Sequence, residues 1–210
     1  MKKADLDLCY LSASEALDKF KSRELSPVEL CTALIQRNEE VGDKLNATTY
    51  TFFERALKEA RVAEAKYMKP KARRPRPLEG IAVGIKDFHS VKGEITTYGS
   101  KAYEGYKPDQ TAPTVERLLT AGAILFSRTT TPEFAYSGVT RSPLWGVTRN
   151  PWNQNCTPGD CPGRTKEYAR CRCSFKTTRR DGRRSRCRVE LGSARHLDDA
   201  LGRRFWRTDW

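Results

Sequence analysis

The sequence has 210 residues, a formal net charge of +13 and 38% hydrophobic residues. Its length suits one domain or slightly more, and its mixed composition excludes collagen, coiled coils and chains that are disordered throughout. No run of about twenty apolar residues is present, so the sequence predicts no membrane-spanning helix. The lysines at the N-terminus precede no apolar segment, and a secretory signal is therefore not expected.

Charge and cysteine are distributed unevenly along the chain. Residues 160–210 hold 15 Lys and Arg against 7 Asp and Glu, whereas residues 1–159 hold 24 against 19. Cys9, Cys31 and Cys156 precede this break, and without a secretory signal they predict free thiols in a reducing cytoplasm. We therefore divide the chain into a first domain, 1–159, and a tail, 160–210.

Two serine residues mark the starts of predicted helices. Ser12 and Glu15 have the spacing of a capping box, in which the hydroxyl caps the first turn and the carboxylate reaches back. Ser26 and Glu29 repeat this spacing, and Pro27 between them suits the first helical position. Apolar residues recur at helical spacing after both starts, so the sequence predicts amphipathic helices there.

The middle of the chain alternates helical and strand patterns. Small and apolar residues recur at helical spacing over 51–67, which predicts a third helix. Ile81–Ile85 and Ala123–Phe126 are short apolar runs that suit buried strands, and a helical pattern over 111–119 ends before Gly122. Strand, helix and strand in this order indicate the α/β class.

Lys86 ends the first of these strands and is followed by Asp87. A lysine at a strand end is ordinarily solvated, with its ammonium group in water. The functional alternative is a desolvated amine, because burial disfavours the charged form and leaves a neutral base. Spacing alone does not decide between these two interpretations.

Six stretches of the first domain carry a family resemblance when they are taken in order. They are residues 78–87, 96–100, 114–118 with 121–123, 131–135, 146–153 and 157–159. The first contains Lys86, the second reads Thr-Thr-Tyr-Gly-Ser, and the fourth reads Thr-Pro-Glu-Phe-Ala. Together they resemble the N-terminal part of the amidase signature family of serine hydrolases, from near residue 12 to residue 159.

The resemblance implies that Lys86 is the catalytic lysine. In the family, a neutral lysine accepts a proton from a serine held by a cis peptide bond, and that serine activates a second, nucleophilic serine. The nucleophile attacks an amide carbonyl and forms an acyl-enzyme, without metal or cofactor. The implied substrate is a small-molecule or acyl amide. The implied fold is a mixed β-sheet flanked by helices, of which this chain supplies only the leading section.

The resemblance ends after Gly159. The family continues with a glycine–serine run and a D-x-G-G-S motif, which carry the two serines, whereas this chain continues at Asp160 with neither. Ser174, Ser185 and Ser193 lack the flanking glycines and are not assigned to the site. We therefore expect an inactive chain, truncated by a frameshift, with a poorly ordered basic tail.

Two further interpretations of the tail stay open. Cysteines and a histidine could hold zinc, although only Cys156 and Cys161 approach the spacing of a zinc hook, and we assign no metal site. The arginines and aromatic residues could bind nucleic acid, which we expect to be nonspecific because no recognition motif accompanies them. The zinc set is Cys156, Cys161, Cys171, Cys173, Cys187 and His196, and the aromatic set is Tyr168, Phe175 and Trp206.

Smaller features of the first domain also carry predictions. The proline-rich basic run 69–77 is expected to be a solvated connector. Residues 127–130 read Ser-Arg-Thr-Thr where the family usually has G-K-T-N, which we expect to alter local packing or substrate approach. His89 is expected to be exposed or packed, since the family's chemistry uses no histidine.

Alternatives for the whole protein remain at this point. Within the fold, the alternative is the A subunit of the tRNA-dependent amidotransferase, which needs partner subunits. Outside enzymes, the alternative is a basic nucleic-acid-binding protein, and a homodimer stays open in either case. Because the implied sheet lacks its remaining strands, we expect open edges, exposed apolar surface, marginal stability and aggregation.

Overall fold

The computed structural model describes residues 3–69, 74–156 and 158. The candidate residues of the tail, from Cys161 to Trp206, lie outside these ranges. The regular elements of the described part are, in chain order, α1 (Lys3–Leu8), α2 (Ala13–Ser22), α3 (Pro27–Leu45), β1 (Thr48–Thr51), α4 (Phe53–Met68), β2 (Ala82–Lys86), α5 (Pro113–Thr120), β3 (Ile124–Thr129), β4 (Arg141–Ser142) and β5 (Gly146–Val147).

The predicted starts of the helices after Ser12 and Ser26 are confirmed. The Ser12 hydroxyl accepts a hydrogen bond from the Glu15 N–H at 3.2 Å, and the Glu15 carboxylate accepts one from the Ser12 N–H at 2.7 Å. The Ser26 hydroxyl accepts from the Val28 N–H at 3.0 Å, and the Glu29 carboxylate accepts from the Ser26 N–H at 2.8 Å. Each capping box satisfies N–H groups that a first helical turn leaves without partners.

The predicted order of strand, helix and strand is confirmed, and the described part of the chain is α/β. Strands β2 and β3 are parallel and α5 connects them, while β1 lies antiparallel on the other side of β3. The sheet is therefore mixed, in the order β1-β3-β2. Strand β3 continues to Thr129, beyond the predicted end at Phe126.

The predicted third helix is confirmed as α4 (Phe53–Met68), although it begins two residues after the approximate predicted start at Thr51. Residues Thr48–Thr51 form β1, in which Thr51 pairs with Ser127 of β3, and α4 begins only at Phe53. Threonine and tyrosine favour extended backbone, and pairing with a buried strand outweighs the helical pattern that continues from α4. The Phe52 N–H donates to the Phe126 carbonyl at 3.0 Å and closes the connection.

Helices cover both faces of the sheet. On one face, Val115 of α5 packs with Val83, Ile85 and Leu125 of the parallel pair. On the other face, small side chains of α3 and α4 allow close approach to β3; this cluster comprises Cys31, Ala56, Ala60, Ile124 and Phe126. A third cluster joins α2 to α3 and α4 and comprises Ala16, Phe20, Leu25, Leu30 and Tyr67. Among the described residues, no helix has the length and apolarity that crossing a bilayer requires.

Candidate functional site

Lys86 lies at the carboxyl end of β2. Alternation along the strand buries Val83 and Ile85 against α5, so the Lys86 side chain emerges from the opposite face. The side chain is half-buried, and its Nζ lies 5.7 Å from the centroid of the Phe88 ring. Within the described ranges, this amine has neither an ion pair nor a side-chain hydrogen bond. Apart from the Phe88 ring, it therefore has no side-chain partner in this part of the protein.

His89 follows closely and packs beside the lysine. Its N–H donates to the Lys86 carbonyl at 3.0 Å, and its ring meets the Phe88 ring edge-on at 5.9 Å. Burial lowers the pKa of His89, and the nearby basic side chains of Lys86 and Arg128 lower it further. The imidazole is therefore neutral at pH 7, and its contacts agree with the packing role that the sequence predicts.

Asp87 anchors the segment that follows the strand. The carboxylate is fully buried; its Oδ1 accepts from the Thr97 N–H at 3.0 Å and its Oδ2 accepts from the Thr97 hydroxyl. That hydroxyl oxygen in turn accepts from the Trp145 indole N–H at 3.0 Å and from the Gly99 N–H at 3.1 Å. One threonine hydroxyl thus uses its donor and both of its acceptor positions to join three chain segments.

Arg128 is also fully buried, and it contacts the same carboxylate. Its Nη2 lies 3.4 Å from Oδ1 of Asp87, and the same nitrogen donates to the His89 carbonyl at 2.7 Å and to the Thr96 hydroxyl at 3.1 Å. Burial lowers the pKa of Arg128, and the nearby charge of Asp87 opposes this effect. Arg128 of the 127–130 segment therefore packs against Asp87, and the effect of this segment on packing or substrate approach stays a prediction.

A bulge in the sheet decides which face Arg128 occupies. Val83 pairs with Leu125, but the next residue of β2, Gly84, pairs with Ser127, so the alternation of β3 shifts by one residue. Arg128 consequently aligns with Ile85, on the face opposite Lys86. The hydroxyl and methyl groups of Ser127 and Thr129 lie beside Gly84 instead, where a Cβ would meet them at 3.3 and 3.1 Å.

Three of the six resemblance segments converge at this end of β2. Beyond the contacts of Thr97, the Tyr98 N–H donates to the Asp87 carbonyl at 3.1 Å, and the Phe134 N–H donates to the Tyr98 carbonyl at 2.8 Å. Segments 78–87, 96–100 and 131–135 therefore meet around the strand that ends in Lys86, and Trp145, which adjoins segment 146–153, contacts them through Thr97. Their positions along the sequence do not reveal this convergence, which only the fold produces.

An aromatic surface, which the sequence reasoning missed, lies next to the lysine. The Tyr98 ring contacts the rings of Phe88 and Tyr103 edge-on at 5.9 and 5.2 Å, and Tyr103 contacts Tyr106 and Phe134 at 5.4 and 6.0 Å. Four of these rings are between 38% and 50% exposed. The density of aromatic residues between 88 and 106 is the sequence signal that could have indicated this surface.

The other candidate residues are not brought to this place. Ser174, Ser185 and Ser193 lie outside the described residues, as do the cysteines of the tail and His196. Cys156 is described and exposed. No group of His, Cys, Asp and Glu in the described ranges is arranged to hold a metal ion. Lys86 is the candidate whose surroundings the structure describes.

Comparisons with known proteins agree with the motifs. A family model described as Amidase matches residues 29–160. The A subunit of the glutamyl-tRNA(Gln) amidotransferase of Carboxydothermus hydrogenoformans is 39% identical over 158 residues, which are 75% of this chain and 32% of that protein. Its counterpart in Brachyspira hyodysenteriae is 37% identical over 161 residues, 75% of this chain and 33% of that protein. The chain thus spans about a third of the length of these curated relatives.

Solved structures share the fold. A fatty acid amide hydrolase has a TM-score of 0.71 and 26% identity, over 78% of this chain and 28% of its own. The peptide amidase of Stenotrophomonas maltophilia has a TM-score of 0.62 and 28% identity, over 71% of this chain and 32% of its own. The fold, the ordered motifs and the matched family model together show that this chain belongs to the amidase signature family, a family of C–N hydrolases.

Proposed function

We propose that residues 1–159 are the leading part of an amidase domain in which Lys86 is the proton-accepting base. One observation supports this role most strongly. Within the described ranges, the Lys86 amine has no ion pair and no side-chain hydrogen bond, and it lies at the strand end where the family's segments converge. The proposed reaction is hydrolysis of a carboxamide C–N bond in a small-molecule or acyl amide. The neighbours that are amide hydrolases support this reaction class.

The proposed chemistry assigns one proton transfer to this part of the chain. The neutral Lys86 amine accepts a proton from a serine hydroxyl, which takes one from the nucleophilic serine as its oxygen bonds to the carbonyl carbon. Breaking the C–N bond releases the amine, which takes the proton back from Lys86 through the intervening serine, and water then hydrolyses the acyl ester. The two serines belong to motifs that this sequence does not contain.

We therefore propose that the 210-residue chain by itself is inactive, since a base without a nucleophile has nothing to activate. A fluorophosphonate probe, which traps activated serines, is expected to leave the chain unlabelled while it labels a complete family amidase in parallel. A stoichiometric adduct on any serine of this chain would contradict the proposal.

The frameshift that we propose after Gly159 has its own test. The match to the family model ends at residue 160, where the arginine-rich segment begins, and this supports a boundary between 1–159 and 160–210. Sequencing the locus is expected to find a glycine–serine coding stretch downstream in another reading frame. An in-frame gene without such a stretch would contradict this origin of the tail.

A second candidate function is that of an A subunit in an amidotransferase. The identity of 39% to a protein of that name favours it, and the activity would then depend on partner subunits. Mixing the chain with the partner subunits of a bacterial glutamyl-tRNA(Gln) amidotransferase tests this candidate. If the candidate is correct, the chain is expected to co-elute with those partners in size-exclusion chromatography, and separate elution would remove the candidate.

The remaining proposals concern location and association. Cys31 is a buried thiol, and burial, helped by the charge of Glu59, raises its pKa to about 11; such a thiol suits a reducing cytoplasm. We expect the arginine-rich tail to bind nucleic acid without sequence preference, so affinity falls steeply with salt. Binding that survives raised salt and discriminates between sequences would favour a nucleic-acid function. Whether the chain forms a homodimer is tested by measuring its mass in analytical sedimentation.

A further inference from the structure

A buried carboxylate next to a lysine base creates an electrostatic difficulty. Asp87 directly follows Lys86 and is fully buried, so water does not screen its charge. An unpaired carboxylate at that position would favour the ammonium form of the neighbouring amine. A base must be neutral to accept a proton, and the fold therefore needs a positive charge that offsets Asp87.

Arg128 supplies a positive charge at the required place. Its guanidinium and the Asp87 carboxylate are both 0% exposed, and their nearest atoms, Nη2 and Oδ1, lie 3.4 Å apart. In the described part of the chain, Nε and Nη1 of Arg128 have no hydrogen-bond partner. The contact is long and leaves two nitrogens of Arg128 without hydrogen bonds. Arg128 therefore acts on Asp87 mainly by offsetting its charge and less by hydrogen bonding.

The other titratable groups near this pair leave its balance unchanged. His89 is neutral at pH 7, because burial and the nearby basic side chains of Lys86 and Arg128 lower its pKa. Glu94 and Tyr98 act on Arg128 from the segment that follows β2, and the charge of Glu94 is itself offset by an ion pair with Arg55. Tyr50 of β1 pairs with Arg128 across the sheet, and its pKa is raised by burial and by the charges of Asp87 and Glu104, so it stays uncharged as well.

We propose that Arg128 is a positioning residue. It offsets the charge of Asp87 beside Lys86, and it secures the hydrogen bonds between Asp87 and Thr97 on the face of the sheet opposite the Lys86 side chain. The β3 bulge makes this possible, because it places Arg128 beside Ile85 and away from the lysine amine. Arg128 thereby keeps Lys86 available as a base without approaching any reacting atom. This inference rests on the proposed role of Lys86.

Charge compensation is tested on the full chain by competitive labelling of lysines with acetic anhydride. Acetylation of Lys86 is followed by peptide mass spectrometry between pH 7 and pH 11, and Lys58, an exposed residue of α4, is the internal reference. In Arg128→Met the half-labelling pH of Lys86 is expected to rise by roughly one unit, since an unbalanced carboxylate then acts on it. Labelling at a fixed pH below the midpoint falls about tenfold.

The opposite substitution distinguishes charge from loosened structure. In Asp87→Asn, Arg128 is unbalanced and the half-labelling pH is expected to fall, whereas the double variant returns to the value of the original chain. Arg128→Lys, which restores the family's usual residue type, is expected to keep that value. Disruption of the structure would move both single variants in the same direction, toward the midpoint of Lys58.

The inference is overturned if Lys86 has the same half-labelling pH in Arg128→Met and in Asp87→Asn, because charge compensation predicts shifts in opposite directions. If Arg128→Met does not fold, Asp87→Asn and Arg128→Lys decide the outcome by the same measurement, with unchanged midpoints counting against the inference. Such a result removes the role of Arg128 and leaves the proposed base in place. The proposed function fails by a separate observation, namely fluorophosphonate labelling of a serine in a chain whose Lys86 has been replaced by alanine.

Discussion

At the scale of single residues, two buried carboxylates hold separate segments together by different means. Asp87 relies on hydrogen bonds from Thr97 and on the charge of Arg128. Glu79, 2% exposed, lies 2.7 Å from Lys66 Nζ of α4 and 2.7 Å from Arg76 Nε. Both carboxylates belong to the segment around β2, and each ties that strand to a neighbouring part of the chain.

Glu79 predicts a specific dependence of stability on pH. Burial works against its ionisation, but hydrogen bonds and charge from Arg76 and Lys66 outweigh burial and lower its pKa from 4.5 to about 2. The carboxylate therefore contributes stability above pH 4.5, and this contribution is lost as the pH falls toward 2. Glu79→Gln is expected to lower the free energy of unfolding at pH 7 by about 3 kcal/mol and to flatten its dependence on pH in that window.

Urea unfolding at pH 7 and pH 3 measures both effects. Glu24→Gln is the matched control, because the Lys19–Glu24 ion pair is mostly exposed, at 42% and 65%, and its loss is expected to change stability little. Equal effects of the two substitutions would contradict the assignment of Glu79 as a structural anchor.

Gly99 is a second residue whose substitution is expected to lower the stability of the fold. Its φ is +71°, and a Cβ there would lie 2.9 Å from the Thr131 carbonyl oxygen, so alanine is strained in its backbone and crowded as well. Gly99→Ala is expected to cost about 3 kcal/mol. Gly105→Ala isolates the backbone contribution, because its φ is +80° with no atom within 4 Å, and it is expected to cost about 1 kcal/mol. Thermal unfolding compares the two variants, and similar costs would exclude the close approach at Gly99.

At the scale of elements, local signals were sufficient where a helix starts at its own cap. The boxes at Ser12 and Ser26 involve residues only three positions apart, so the order of residues along the chain determines them. Strand β1 is different, since Thr48–Thr51 is held by β3, far along the chain. The bulge opposite Gly84 likewise depends on pairing between strands and has no local signature.

The two caps are expected to differ in their contribution to stability. The Ser26 hydroxyl caps α3 and also donates to the Glu64 carboxylate of α4, whereas Ser12 bonds only within its own helix start. Ser26→Ala is therefore expected to cost about 2 kcal/mol and Ser12→Ala about 1 kcal/mol. Urea unfolding measures both values, and a larger cost at Ser12 would contradict the role of the link between helices.

At the scale of the whole molecule, the described sheet has an open side. Within the described ranges, β2 is hydrogen-bonded to β3 alone, and the match covers 32% of the relative from Carboxydothermus hydrogenoformans. The aromatic surface near Lys86 exposes Phe88, Tyr103, Tyr106 and Phe134 at 38–50%. An open strand edge beside exposed rings is a surface on which chains associate.

The purified chain is therefore expected to be marginally stable. It should bind anilinonaphthalene sulfonate, unfold over a broad temperature range and aggregate as its concentration rises. Calorimetry and light scattering measure these properties, with a complete family amidase as the reference. A sharp cooperative transition without dye binding would show that the open side is covered.

The sequence by itself determined the α/β class, the helix starts and the family, because caps, periodic apolar patterns and ordered motifs depend on residues that are close in the chain. It also singled out Lys86, whose role stays a prediction. Only the tertiary structure decided that three distant segments meet at the end of β2, that Thr48–Thr51 is a strand, and that Arg128 lies opposite the lysine. These features arise from pairing between strands. One bulged residue in β3 exchanges the faces on which the following side chains lie, and neighbouring residues in the sequence do not reveal this shift.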